Sequence, residues 1–301
     1  MGKCDDMLLV SDFDRTLTNN QNQVPQANIE AIHDFIREGG LFTVATGQSV
    51  NSQRKRYDRV PLNAPTITFN GAAVYDFCKE EALYLAPLPS SAEQMAKELV
   101  RNFPDCVVSL ETLRNHYLLH QADSVKQRAI AKIFGMDDRE QRTPEQDQEQ
   151  WLKIVIVYLE LPETEEEIMQ RLGQWKEQMG EKDFFRETDE GTDARMKDIA
   201  CWVEERFPGE YTVARSMPMM LEIQAAGVSK GSTARKLARE YGRKTLICVG
   251  DAPNDVGMLE EADFAYIAAD GDAGLLDGRY RLAAPSHEGT VASVIRELLN
   301  T

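Results

Sequence analysis

The sequence is short of basic charge, histidine and paired cysteines, and it has no long apolar run. Each shortage narrows the classes of function open to it. Lys and Arg number 34 against 50 Asp and Glu, a formal charge of −16. Sequence-independent nucleic-acid binding rests on cations set against phosphates, so so acidic a chain is a poor candidate for it. Small anionic substrates remain open, because a local site can be positive on a negative protein. The five cysteines, Cys4, Cys78, Cys106, Cys201 and Cys248, are scattered, odd in number and form no CxxC pair. They read as reduced thiols of a cytoplasmic protein. The apolar stretch MLLV is too short for a signal peptide, Asp6 takes the place a myristoylation signal gives to Ser or Thr, and no run is long enough to cross a bilayer. The four histidines are far apart except His116 and His120, in a stretch (NHYLLH) that reads as a strand, where a separation of four does not suit a metal pair.

What is present is a chain of 301 residues, 42% hydrophobic, enough for one large domain or two ordinary ones. At both ends apolar strands alternate with helical patterns. MLLVSD (7–12), LFTVA (41–45) and TITF (66–69) read as strands, and 26–38 as a helix stopped by Gly39–Gly40. Towards the C-terminus SKGSTARKLAREYG reads as a helix, TLICVG as a strand, NDVGMLEEA as a short helix and DFAYIAA as a strand. This alternation predicts an α/β fold, a Rossmann-like doubly wound parallel sheet. The middle differs, with paired strand candidates (DCVVSL, NHYLLH, WLKIVIVYLE, YTVAR, MMLEI) between helices, one of them capped by Ser90 or Ser91. We therefore expect a core of 1–82 and 222–301 and an inserted α+β domain of 83–221. Residues 137–150 have almost no apolar side chains and read as a solvated loop.

Four motifs fall at strand ends or helix starts. Asp12-Phe13-Asp14-Arg15-Thr16 closes the first strand. One carboxylate there can attack phosphorus and the other can pass a proton, or the pair can serve as an acidic turn or helix cap. Thr46-Gly47-Gln48, after the second strand, offers a hydroxyl and an amide to an anion, or a helix cap with a tight turn. Ser229 reads as a helix N-cap, which puts Lys230 in the first turn against the helix dipole. An anion at that helix end would account for it, and so would a solvent-facing lysine. Gly250-Asp251-Ala252-Pro253-Asn254-Asp255 brings further carboxylates to a strand end. Convergent carboxylates suit Mg²⁺, and Pro-Asn-Asp also suits a turn. Two aspartates as close as Asp12 and Asp14 repel unless neutralised, and Mg²⁺ with Lys230 would neutralise them.

The ordered set, DxDxT, VATG, VSKG and GDxxND, resembles the haloacid dehalogenase superfamily of phosphohydrolases. The insertion between the second and third motifs looks like the type IIB cap of its Cof-type subfamily, and FNGAAVYD (69–76) and LEIQAAGVSKG (221–231) are similar to segments of that subfamily. The resemblance implies that Asp12 is the nucleophile and a Mg²⁺ ligand. Asp14 would be the general acid/base, its backbone carbonyl on the metal. Thr46, Gly47 and Lys230 would hold the phosphoryl group, and Asn254 would either contact its oxygens or orient Lys230. Asp251 would be a Mg²⁺ ligand and Asp255 would hold metal-bound water. Two positions depart from the family pattern: Arg15 where Gly is usual and Gln48 where Arg is usual.

We thus expect a Mg²⁺-dependent phosphatase of a small phosphorylated metabolite, a sugar phosphate in first place, acting without nucleic acid or membrane. Whether it is a monomer or a homodimer is open at this stage. Asn70 and Gly71, after the third strand, are further candidates from the core. The rivals are a phosphomutase, a phosphatase dedicated to a disaccharide phosphate, and a regulator that binds a phosphometabolite without turnover. Turnover with Mg²⁺ separates the enzymes from the regulator.

Overall fold

The computed structural model describes residues 2–54, 56, 57, 59–119, 124–136, 140, 141, 149–171, 173, 174 and 189–300. In chain order the strands are β1 (Met7–Asp12), β2 (Leu41–Ala45), β3 (Thr66–Thr68), β4 (Ala73–Asp76), β5 (Glu81–Leu85), β6 (Val107–Thr112), β7 (His116–Leu118), β8 (Glu140–Gln141), β9 (Trp151–Val157), β10 (Tyr211–Met217), β11 (Met220–Ala225), β12 (Thr245–Gly250), β13 (Phe264–Ala268) and β14 (Arg281–Ala283). The helices used below are α1 (Gln26–Arg37), α2 (Val50–Gln53), α3 (Ala92–Asn102), α4 (Val125–Ile133), α5 (Glu190–Arg206), α6 (Lys230–Glu240), α7 (Val256–Glu261) and α8 (Thr290–Asn300).

Two compact units emerge, one of Met1–Ala86 with Gly227–Thr301, the other of Pro87–Ala226. The first carries an eight-stranded sheet ordered β14-β13-β12-β1-β2-β3-β4-β5. Its strands run parallel from β14 to β3, and β4 and β5 close one edge antiparallel. This is the expected doubly wound sheet. Alternation along β1 sends Leu9 to a cluster with α1 and α8 (Ile32, Phe35, Val291, Ile295) and Leu8 and Val10 to one with α6 and α7 (Leu237, Ala238, Met258). Both faces are therefore covered, which is why the strands read as nearly continuous apolar runs.

The second unit carries a six-stranded sheet ordered β10-β11-β9-β6-β7-β8, antiparallel except for β7 with β8. Its cluster of Val108, Leu110, Ile154, Ile156, Leu221 and Ile223 packs on α3 and α5 through Met95, Leu99, Ile199 and Val203. Ser91 precedes α3, but its hydroxyl engages Glu210 and Tyr211 and makes no helix-capping bond. Both limits of the insertion lie a few residues beyond the expected 83 and 221. Leu85 and Tyr84 pair with Ala73 and Val74 in the first sheet, whereas Glu222 and Ile223 pair with Val155 and Ile154 in the second. Apolar pattern alone does not say which sheet an edge strand joins. Most of 137–150, and His120 with it, lies outside the described residues. Among those described, no helix is long and apolar enough to cross a membrane.

Candidate active site

The parallel strands deliver three motifs to one edge. Asp12 ends β1 and lies in register with Ala45 on β2, while Ser11 is level with Val249 on β12. Thr46 follows β2 and Asp251 follows β12 directly. The carboxyl ends of parallel strands are where open α/β sheets bind ligands.

Lys230 comes to the same place from a helix. Ser229 caps α6 by accepting from the Ser232 amide at 3.1 Å, and Ser232 returns the bond. That leaves Lys230 in the first turn, buried, with its ammonium donating to Asp12 Oδ1 at 2.5 Å and Asp255 Oδ1 at 2.7 Å. The anion expected at this helix end is thus Asp12, aided by Asp255. Two glycines allow the approach. A side chain at Gly231 would collide with the Gly257 carbonyl of α7, and one at Gly71 (φ +104°) with the Ser229 carbonyl.

Asp255 is fully engaged. Its other oxygen accepts from the backbone amides of Asp251 and Ala252 at 3.0 and 3.2 Å, so it ties the turn after β12 to Lys230. Asp251 Oδ1 accepts from the buried Thr16 hydroxyl at 2.9 Å. Asn254, on the same turn, is half-buried, and Lys230 turns to Asp255 instead. The Thr46 hydroxyl accepts from the Gln48 amide at 3.2 Å, and the Thr46 carbonyl from the Asn70 amide at 2.9 Å. Gly47 faces Asn70, whose side chain a Cβ at 47 would crowd. The Phe69–Gly71 turn is therefore seated on the Thr46 loop.

Asp14 points elsewhere. Its Oδ2 accepts from Gln48 Nε2 and its Oδ1 from an Arg56 amino group, both at 2.6 Å. Arg15 adopts φ +65°, the left-handed region where glycine, the residue the resemblance leads us to expect here, is at ease.

Asp12, Asp251 and Asp255 present oxygens within 4.8 Å of one another, all three buried. Burial, then the Asp255 charge, raises the Asp12 carboxyl well above the usual range, against the pull of Lys230. The same two causes push Asp251 up to about 7, against Thr16, Lys230 and Arg15. Burial alone would lower the Lys230 ammonium, but Asp12 and Asp255 outweigh it and hold it above its ordinary value, so it stays charged. Three buried carboxylates against one buried ammonium leave an excess of negative charge, and the donors are hard oxygens. That set fits a divalent cation such as Mg²⁺.

Sequence reasoning missed two partners, Thr16 for Asp251 and Arg56 for Asp14. A signal for Arg56 was available: 54–59 (RKRYDR) holds four basic residues in an acidic chain.

A doubly wound, mainly parallel sheet with a separate, mainly antiparallel inserted unit, carrying buried carboxylates and a lysine at its strand ends, is the class of protein that the fold and site define. A family model described as haloacid dehalogenase-like hydrolase matches residues 9–190 and 181–295, and the chain belongs to that family, an enzyme of its phosphatase type. The Bacillus subtilis protein named "Putative phosphatase YxeH" is 24% identical over 297 residues, covering 97% of this chain and 98% of the relative. The structure of BT1666, a phosphatase of the superfamily from Bacteroides thetaiotaomicron, matches with a TM-score of 0.74 at 18% identity, covering 98% and 96% of the two chains. That of BT4131, described as a subclass IIB sugar phosphatase, matches with a TM-score of 0.69 at 17% identity, covering 97% and 98%.

Proposed function

We propose that this enzyme hydrolyses phosphate monoesters of small metabolites, sugar phosphates in first place, through an aspartyl-phosphate on Asp12, with Mg²⁺ as cofactor. The observation that carries the reading is the buried Lys230 ammonium shared by Asp12 and Asp255 at the strand ends. A carboxylate nucleophile must approach a phosphoryl group that is itself anionic. Lys230 offsets that repulsion and stays in place through its second bond to Asp255. Asp12, Asp251 and the Asp14 backbone carbonyl would hold the Mg²⁺, with Asp255 on a water of its shell, and the ion when bound would supply charge neutralisation at the phosphoryl oxygens.

A carboxylate oxygen of Asp12 attacks phosphorus, and the electron pair of the breaking P–O bond leaves on the ester oxygen. Asp14 gives that oxygen a proton. It then takes a proton from the water that attacks the phosphoryl-enzyme, and Asp12 is released. Thr46, the Gly47 amide and Asn254 orient the phosphoryl group, and phosphoryl transfer asks little more of a protein than position and charge. The preference for a sugar is supported by the likeness in fold to the sugar phosphatase BT4131. The inserted unit would act as the cap that excludes water and reads the leaving group.

The test is phosphate release from a panel of phosphorylated sugars, nucleotides and cofactors, with Mg²⁺ or EDTA, on wild type and Asp12→Asn. Release that needs Mg²⁺ and vanishes in the variant is the expected result, and the best substrate names the class. No release from any member, with Mg²⁺ binding intact, overturns the reading in favour of a non-catalytic binding role.

A further inference from the structure

Asp14 is held on both oxygens, and by two different kinds of donor. Oδ1 meets the Arg56 guanidinium and Oδ2 the Gln48 amide, each at 2.6 Å. The guanidinium is itself fixed, its carbon 4.5 Å from the centre of the Phe13 ring. Phe13 is buried and packs edge-on against Tyr57 at 5.1 Å, and Tyr57 packs edge-on against Phe77 at 5.1 Å. An aromatic shelf therefore supports a planar cation, a geometry that Arg fills and Lys does not. The buried Tyr57 hydroxyl has no hydrogen-bond partner among the described residues. Burial raises its pKa well above the ordinary value, and Asp14 and Asp12 add to the rise. The Asp14 oxygens meet Arg56 and Gln48 rather than this hydroxyl.

The two donors are not equivalent. A guanidinium only donates, so Oδ1 stays a permanent acceptor. A carboxamide can turn over and accept instead, so Gln48 can stay with Oδ2 whether or not that oxygen carries a proton. The arginine usual at position 48 in the family could not.

We propose that Arg56 is the positioning residue for Asp14: it anchors Oδ1 and so reserves Oδ2, beneath the Gln48 amide, as the oxygen that passes the proton. In the first step the Oδ2 proton goes to the ester oxygen as the P–O bond breaks. In the second, Oδ2 takes a proton from the attacking water while the bond between phosphorus and Asp12 breaks. The proposal rests on the reading of Asp14 as the acid/base.

The test compares kcat/KM for an alkyl phosphate, whose leaving oxygen needs a proton, with that for 4-nitrophenyl phosphate, whose leaving group needs little help. Wild type, Arg56→Ala, Arg56→Lys, Asp14→Ala and the Arg56→Ala/Asp14→Ala double variant are measured, with melting temperatures as the control for folding. General acid–base catalysis contributes on the order of 10²- to 10⁴-fold, so Arg56→Ala is expected to lose about 10- to 100-fold on the alkyl ester and less than about threefold on the aryl ester. Arg56→Lys should recover part of the loss. The double variant should be no worse than Asp14→Ala, because residues acting as a unit are not additive. A loss equal for the two esters, or a double variant tenfold below Asp14→Ala, overturns the role of Arg56 and leaves the acid/base reading standing. Full activity in Asp14→Ala overturns both.

Discussion

Thr16 and Asp251, 235 residues apart in the chain, are joined by a hydrogen bond of 2.9 Å beyond the carboxyl ends of β1 and β12. The hydroxyl is buried and turns one oxygen of a proposed metal ligand. Partners of this kind set ligand orientation, and their loss typically costs about 10- to 100-fold in metal affinity or activity. Thr16→Val should weaken Mg²⁺ binding by that factor, read from the rise in melting temperature with Mg²⁺, and Thr16→Ser should not. Asp251→Asn should remove the Mg²⁺ response altogether. It should also raise the melting temperature in EDTA, because it removes one of three crowded negative charges. A metal-free Asp251→Asn protein less stable than wild type would contradict the account of the site's charge.

Arg15 occupies φ +65°, ψ 4°. The left-handed region costs an L-residue roughly 1–2 kcal/mol, while glycine brings an entropic cost of about 0.5–1 kcal/mol. Arg15→Gly should therefore leave stability unchanged or raise it by up to about 1.5 kcal/mol on these figures. Arg15→Val, stiff at Cβ, should destabilise. Urea midpoints of the two variants give the comparison, and a large loss in Arg15→Gly would show that the Arg15 side chain, not its backbone, supports the loop.

In the second unit Lys153 on β9 is buried between Glu222 on β11 and Glu111 on β6, with Nζ 3.1 Å from Glu111 Oε2 and bonded to Glu222. Removing one partner of a buried ionic group leaves uncompensated charge and costs about 3–5 kcal/mol, which is the loss expected for Lys153→Met. Burial alone would lower the Lys153 pKa, but the two glutamates raise it above the ordinary 10.5. A raised lysine pKa favours the folded state while the group is protonated in both states. Its contribution should thus be complete below about pH 10 and be lost as pH rises through the folded-state value. Urea midpoints measured from pH 8 upward should run parallel to about pH 10 and then fall more steeply for wild type than for Lys153→Met.

Much of the core was legible in the chain, because parallel strands buried on both faces are written as apolar runs and their ends as charge. MLLVSD, LFTVA and TLICVG stand where their patterns placed them, and Ser229 caps α6 with Lys230 in its first turn. That Asp12, Lys230 and Asp251 gather at one place could be expected from the residue types at those ends. Tertiary structure alone decided the partners. Asp14 looked like a companion of Asp12, yet it is bound by Gln48 and Arg56, 34 and 42 residues away. Asp255, expected on a metal-bound water, is the side chain that holds Lys230. Leu83 and Glu222 fell on the unexpected side of the unit boundaries. Local pattern records which face of an element is buried. It does not record which side chain meets which across the fold, because that depends on how strands order themselves in a sheet and how closely helices pack upon it.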